Sequence, residues 1–219
     1  ALHEAGHATL SWFLEHANPL IKVTIVPRGR ALGAAWYLPE ERQITTKEQM
    51  LDEMCATLGG RAAEELFTGH ISTGAMNDLE RVTKQSYGMI AYAGMSEKLP
   101  NLCYYSNDEY SFSKPYSERT AELIDEEVKQ MVNEQYERAK KILSENQEGH
   151  NRLAQLLIDK EVIFAEDVEH IFGKRPWASR SEEISANKTA AELKKAEQEE
   201  EQKAIEAEKE VKEEEKHEK

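Results

Sequence analysis

Two imidazoles and a carboxylate stand at the head of the chain. His3-Glu4-Ala5-Gly6-His7 is an HExxH run. On a helix, residues four apart share a face, with about 5–6 Å between their Cβ atoms. Imidazoles so placed can both reach one zinc ion at roughly 2.0–2.1 Å. Glu4 lies about 100° round the helix from His3, where its carboxylate meets a water on the metal rather than the metal itself. Zinc lowers the pKa of such a water to roughly 7, so a carboxylate can take its proton at neutral pH. The pattern therefore reads as a metalloprotease site: His3 and His7 as ligands, Glu4 as general base and then acid. The bland alternative is a pair of surface histidines on an amphipathic helix.

A catalytic zinc site takes three protein ligands and keeps one open position. The long metzincin pattern would need Gly at position 10 and His at 13, and the chain has Leu10 and Phe13. The third ligand must come from further along. Glu64, Glu65 and Asp78 are the acidic candidates, and spacing does not choose between them. Each also has an ordinary reading, as an exposed helical carboxylate or, for Asp78, as a favourable charge at a helix N-terminus.

The elements that must hold these groups follow from the hydrophobic pattern. Residues 1–16 read as a helix ended by Asn18-Pro19. Ile21, Val23 and Ile25 alternate with Lys22 and Thr24, the period of a half-buried strand. After a turn at Pro27-Arg28-Gly29, Ala31 to Leu38 is a second apolar stretch, a core strand or an edge that receives a peptide by strand addition. Met50, Met54, Leu58, Ala62 and Leu66 make an i,i+4 stripe over one helix, 46–67, closed by Gly69. Another helix starts near Asn77, and a long one spans about 117–143. Ser144 and Gln147 have the spacing of a capping box, so a further helix starts there. A short helix, 165–171, closes the folded part. Gly6 inside its helix costs ~1 kcal/mol relative to Ala, which points to a close contact on that face. Cys55 reads as a small buried hydrophobe, and His16, His70, His150 and His170 as surface or cap residues.

The 219 residues carry a formal net charge of −14, which argues against a nucleic-acid partner. Two cysteines are too few for a disulfide framework. No apolar run approaches the ~20 residues of a membrane span. The chain begins at Ala1 and enters the motif at once, with no N-cap and no initiator Met, so it reads as a fragment lacking its upstream part. From Ser181 to Lys219 it holds 14 Glu and 8 Lys and few aliphatics, a composition that stays disordered or forms a solvated single helix. The expected organisation is a mainly α-helical domain over 1–173, with a small β-sheet near its start, followed by a charged tail over 174–219.

Four ordered blocks bear a further reading. His3-Glu4-Ala5-Gly6-His7-Ala8, Leu32-Gly33 leading to Leu38-Pro39-Glu40, Gly59-Gly60-Arg61-Ala62-Ala63-Glu64-Glu65, and Ser72-Thr73-Gly74-Ala75 with Asn77-Asp78-Leu79 resemble the FtsH family of membrane-anchored, ATP-dependent zinc proteases, from Ala1 to about Phe172. The resemblance implies that Asp78 is the third ligand of one zinc ion. It implies a helical peptidase domain and a substrate-receiving edge at Leu32, Gly33, Ala34 and Ala35. It also implies a homo-hexamer acting on unfolded membrane and soluble proteins, with an upstream AAA+ module that binds ATP and Mg²⁺. The peptidase domain would then face the cytoplasm at a bacterial inner membrane. No G-x-x-x-x-G-K-[ST] loop occurs in this chain, so ATP chemistry would belong to the upstream part. The competing readings are a stand-alone HExxH endopeptidase and a helical interaction module with an incidental motif.

Overall fold

The structure is a computed structural model that describes residues 1–27, 33–38, 44–104 and 114–177. It is mainly helical with one small sheet, as the hydrophobic pattern predicts. The helices are α1 (Leu2–Phe13), α2 (Lys47–Thr57), α3 (Gly59–Thr68), α4 (Met76–Tyr87), α5 (Glu118–Glu145), α6 (Gln147–Lys160) and α7 (Ala165–Phe172). The strands are β1 (Leu20–Thr24), β2 (Ala34–Tyr37) and β3 (Val162–Phe164), antiparallel in the order β2-β1-β3. None of the described helices is long and apolar enough to cross a membrane.

α1 lies at the centre because it has two apolar faces. Ala5, Ala8 and Trp12 pack with Leu20 and Val23 of the sheet and with Leu153, Leu157 and Val168 of α6 and α7. Leu10 and Leu14 turn the other way, onto Ala62, Ala63, Ala139 and Leu143 of α3 and α5. Buried Asp52 ties the end of α1 to two more helices: it accepts the His16 N–H at 2.9 Å and pairs with Arg138 at 2.7 Å. Trp177 donates its indole N–H to the Phe13 carbonyl at 2.9 Å, and Arg175 reaches the carbonyls of Leu14 and Ala17. The segment after α7 is thus fastened to the end of α1.

Several elements differ from the sequence reading. The single helix expected over 46–67 is two helices, with Leu58 at ψ −8° between them. The break falls where Gly59-Gly60 has the weakest helix propensity and where α1 comes closest. Ser144 and Gln147 form no capping box. α5 runs on to Glu145, and the Ser144 hydroxyl bonds back to the Lys140 carbonyl at 2.8 Å. A capping box does form at Thr46 and Gln49, where each side chain takes the other's backbone N–H. Ile21 is exposed, because the β1–β2 register shifts between Leu20 and Lys22 and turns it outward. α4 continues into a π turn, Gly88–Tyr92, and the three-residue β3 follows α6; neither the π form nor the short strand has a local signal in the sequence. His150 is fully buried rather than superficial. Its ring stacks on Phe67 at 4.2 Å, and its Nε2 meets the Leu2 carbonyl at 3.2 Å. Cys55 is buried as expected, and burial pushes its thiol up to about 12. The expectations for Leu32 and for the tail from 178 onward lie outside the described residues.

Candidate metal centre

The first two turns of α1 present His3 and His7 on one face. The segment after α3 returns to meet them. Ser72 caps a short 3₁₀ turn, Thr73–Ala75, by accepting the Gly74 N–H at 3.0 Å, and α4 starts directly behind it with Asp78 in its first turn. The result is a triangle of donor atoms. His3 Nε2 and His7 Nε2 are 3.1 Å apart, and Asp78 Oδ2 lies 3.2 Å from the first and 3.4 Å from the second. The two rings stand at 79°, so the three groups converge from different directions.

These separations can be compared with what an ion would require. Tetrahedral bonds of 2.0–2.1 Å place ligand atoms roughly 3.3–3.4 Å apart. Two imidazole nitrogens and one carboxylate oxygen also form a donor set suited to catalytic zinc. Among the described residues this is the one His/Cys/Asp/Glu group able to hold a metal. Electrostatics agree with the geometry. Burial favours neutral Asp78, yet the hydrogen bonds and charges of His3 and His7 outweigh it and hold the carboxyl far below the usual carboxylate range. Burial likewise disfavours a charged His7, but Asp78, with the Ala56 carbonyl and Glu4 assisting, raises its pKa on balance.

A second layer fixes both rings. His7 Nδ1 meets the Ala56 carbonyl at 3.0 Å, and His3 Nδ1 meets Glu64 Oε1 at 2.9 Å. A proton on each Nδ1 satisfies these acceptors and leaves both Nε2 lone pairs aimed at the centre. Glu64 is itself held, by the Ser72 hydroxyl at 3.0 Å and the Ser72 N–H at 3.1 Å. Ser72 in turn has its carbonyl bound by Arg61 at 2.9 Å. Burial disfavours a charged Glu64, but His3 and Ser72 together lower its pKa. The three acidic candidates are thus separated in space. Asp78 faces the imidazole nitrogens, Glu64 stands behind His3, and Glu65 turns to α5, where Tyr136 donates to it and Lys140 lies 3.7 Å away. The sequence carries no signal of the contact between Glu64 and His3, since no spacing rule pairs residues 61 positions apart.

Glycines make room for the chemistry. A Cβ on Gly60 would fall on the His3 ring. A Cβ on Gly33 would stand 2.6 Å from Glu4 Oε1, so the backbone just before β2 lies directly against that carboxylate. Gly33, Ala34 and Ala35 are half-buried there. His70 is exposed and lies outside the metal-binding group.

Comparison with known proteins gives this arrangement a lineage. The family model described as peptidase family M41 matches residues 1–171. The chain is 75% identical over 186 residues, 84% of its length, to the ATP-dependent zinc metalloprotease FtsH of Parabacteroides distasonis, of which the match covers 27%. It is 51% identical over 182 residues to the enzyme of the same name from Rhodothermus marinus, covering 81% of this chain and 26% of the relative. It is 46% identical over 183 residues to the mitochondrial inner membrane m-AAA protease component AFG3L2 of Mus musculus, covering 83% and 23%. The chain therefore spans about a quarter of the length of the curated relatives it matches. With the family match running from the first residue through most of α7 and identities of 46–75% over four-fifths of the chain, the chain belongs to peptidase family M41, the zinc peptidases of the FtsH type.

Proposed function

We propose that this domain is the zinc-dependent endopeptidase part of an ATP-driven protease. The observation that supports it most is the triangle of His3 Nε2, His7 Nε2 and Asp78 Oδ2, with edges of 3.1–3.4 Å, next to Glu4. On this reading the three residues hold one zinc ion, which when bound supplies Lewis acidity toward water and a peptide carbonyl.

The remaining steps belong to the chain's own residues. An extended substrate pairs with β2 near Gly33, which orients its backbone across Glu4. Glu4 takes the proton of the attacking water and returns it to the leaving amine. Glu64 and the Ala56 carbonyl keep both imidazoles in the ligating tautomer. The small side chains at Gly33, Ala34 and Ala35 let a peptide backbone approach.

The relatives' names, an ATP-dependent zinc metalloprotease and a mitochondrial inner membrane protease component, support ATP dependence and a membrane setting. The parent protein would couple this domain to an upstream module that binds ATP and Mg²⁺. On the resemblance to the FtsH family it would work as a homo-hexamer anchored in a bacterial inner membrane with the peptidase part in the cytoplasm, and degrade unfolded membrane and soluble proteins. The deciding experiment is zinc per chain by elemental analysis, on the parent and on two variants. About one zinc, kept in Glu65→Ala and lost in Asp78→Ala, is the expected result. Loss in Glu65→Ala instead would overturn the ligand set.

A further inference from the structure

The outer face of the sheet carries a row of side chains that the hydrolytic chemistry does not use. Trp36 of β2 and Phe164 of β3 are both register partners of Lys22 on β1, and residues directly opposite one another share a face. Trp36 is 47% exposed and Phe164 49%. The Lys22 ammonium lies over the Trp36 ring, 5.2 Å from its centroid. Two large aromatics thus stand half in water on either side of one cation.

Three observations connect this row to the candidate active site. First, β2 is an edge strand, and among the described residues nothing pairs with its outer side. Second, Leu38 donates its N–H to the Pro19 carbonyl, on the β1 side. By the period of two, Ala35 and Tyr37 turn their amide groups to the free edge. Third, Gly33 touches Glu4, and at about 3.4 Å per residue Trp36 lies about 10 Å further along the same strand. A strand added to this edge runs from the general base to the indole.

We infer that Trp36, backed by Lys22, is a specificity subsite for that added strand, reading the substrate side chain about three residues from the scissile bond and taking a large apolar or aromatic group in preference to Lys or Arg. This rests on the protease reading above. The occupant is a substrate strand because the free amides and the indole belong to one edge that starts at Glu4. The indole supplies the cross-strand contact, worth roughly two- to fivefold in selectivity. Lys22 repels a basic side chain at the same place.

The test uses the whole protein that carries this domain. Cuts in a reduced, carboxymethylated unfolded protein are mapped by mass spectrometry. The wild type should enrich aromatic and aliphatic residues, and deplete Lys and Arg, at one position two to four residues from the cut. Trp36→Ala should flatten the enrichment, and Lys22→Glu should lift the depletion, each with about one zinc per chain retained. A profile unchanged in both variants overturns the subsite. Binding provides an arm independent of turnover. In a Glu4→Gln background, peptides scanned with Phe or Lys at each position should differ two- to fivefold at one of them, and Trp36→Ala should erase that difference. Equal binding of all peptides before the Trp36 change also overturns it. If the protein makes no cuts at all, the protease reading fails, and the binding comparison still decides the role of Trp36.

Discussion

Gly6 of α1 and Gly59 of α3 meet backbone to backbone: a Cβ on Gly59 would stand 2.8 Å from the Gly6 carbonyl oxygen, and one on Gly6 would fall on the Gly59 carbonyl. This crossing sets the distance between the helix that carries both histidines and the helix that carries Glu64. Gly6→Ala gains ~1 kcal/mol of helix propensity, but it forces the helices apart at a cost of about 1–3 kcal/mol. The expected result is a lower melting temperature together with weaker zinc binding. A variant that melts higher and binds zinc as before would show that the crossing has slack.

Glu64 contacts the Nδ1 side of His3 and lies outside the donor triangle, so on the proposed reading it acts through His3 rather than on the metal. Removing such an outer carboxylate typically weakens a metal site by about 10–100-fold. Glu64→Ala should therefore lower zinc affinity within that range while a stoichiometric site survives at saturating zinc. Competition against a chelator of known affinity measures it. Affinity equal to the wild type would reduce Glu64 to a carboxylate that merely caps Ser72.

The difference between Glu64 and Asp78 illustrates how far the residues alone carry the argument. His3, Glu4 and His7 were legible because a helix converts a spacing of four into a shared face, a purely local rule. The meaning of Gly6 was legible for the same reason, as a helix-weakening residue that needed a contact to justify it. The choice among Glu64, Glu65 and Asp78 was not, because the three look alike until α3 and α4 are placed; only the resemblance to a family favours Asp78, the carboxylate that faces both Nε2 atoms. The break at Leu58 was hidden by an unbroken apolar stripe, since periodicity does not register a change of helix axis. Ser144-x-x-Gln147 had the letters of a capping box but lay inside a helix already under way. The burial of His150 depends on Phe67 and Leu2, distant in sequence, and no local pattern announces it.

His150 gives a pH dependence of definite sign. Burial lowers its pKa below 6.5, against smaller opposing effects of the Leu2 carbonyl and Asn151. The unfolded chain therefore binds its proton at a higher pH than the folded one. Its contribution to stability is fully present above about pH 6.5 and is lost as pH falls from there toward the folded pKa, by at most about 1.4 kcal/mol per pH unit. Subtracting the unfolding free energies of His150→Gln from those of the wild type at each pH cancels the other titrating groups. The difference should fall between pH 7 and pH 5; a flat or rising difference contradicts a neutral buried imidazole.

Glu4 and the ligands can be separated by one substitution. Glu4→Gln keeps the shape beside Gly33 and leaves His3, His7 and Asp78 untouched, but an amide does not accept the proton of the attacking water. Zinc content should stay at about one per chain while proteolysis falls by about 10²–10⁴-fold, the usual contribution of a positioned general base. His3→Tyr or His7→Tyr should instead lose the metal and the activity together. The two assays must therefore be run on the same preparations of the whole protein. Loss of zinc in Glu4→Gln would make Glu4 part of the metal shell, and full activity with zinc retained would move the proton transfer to another group.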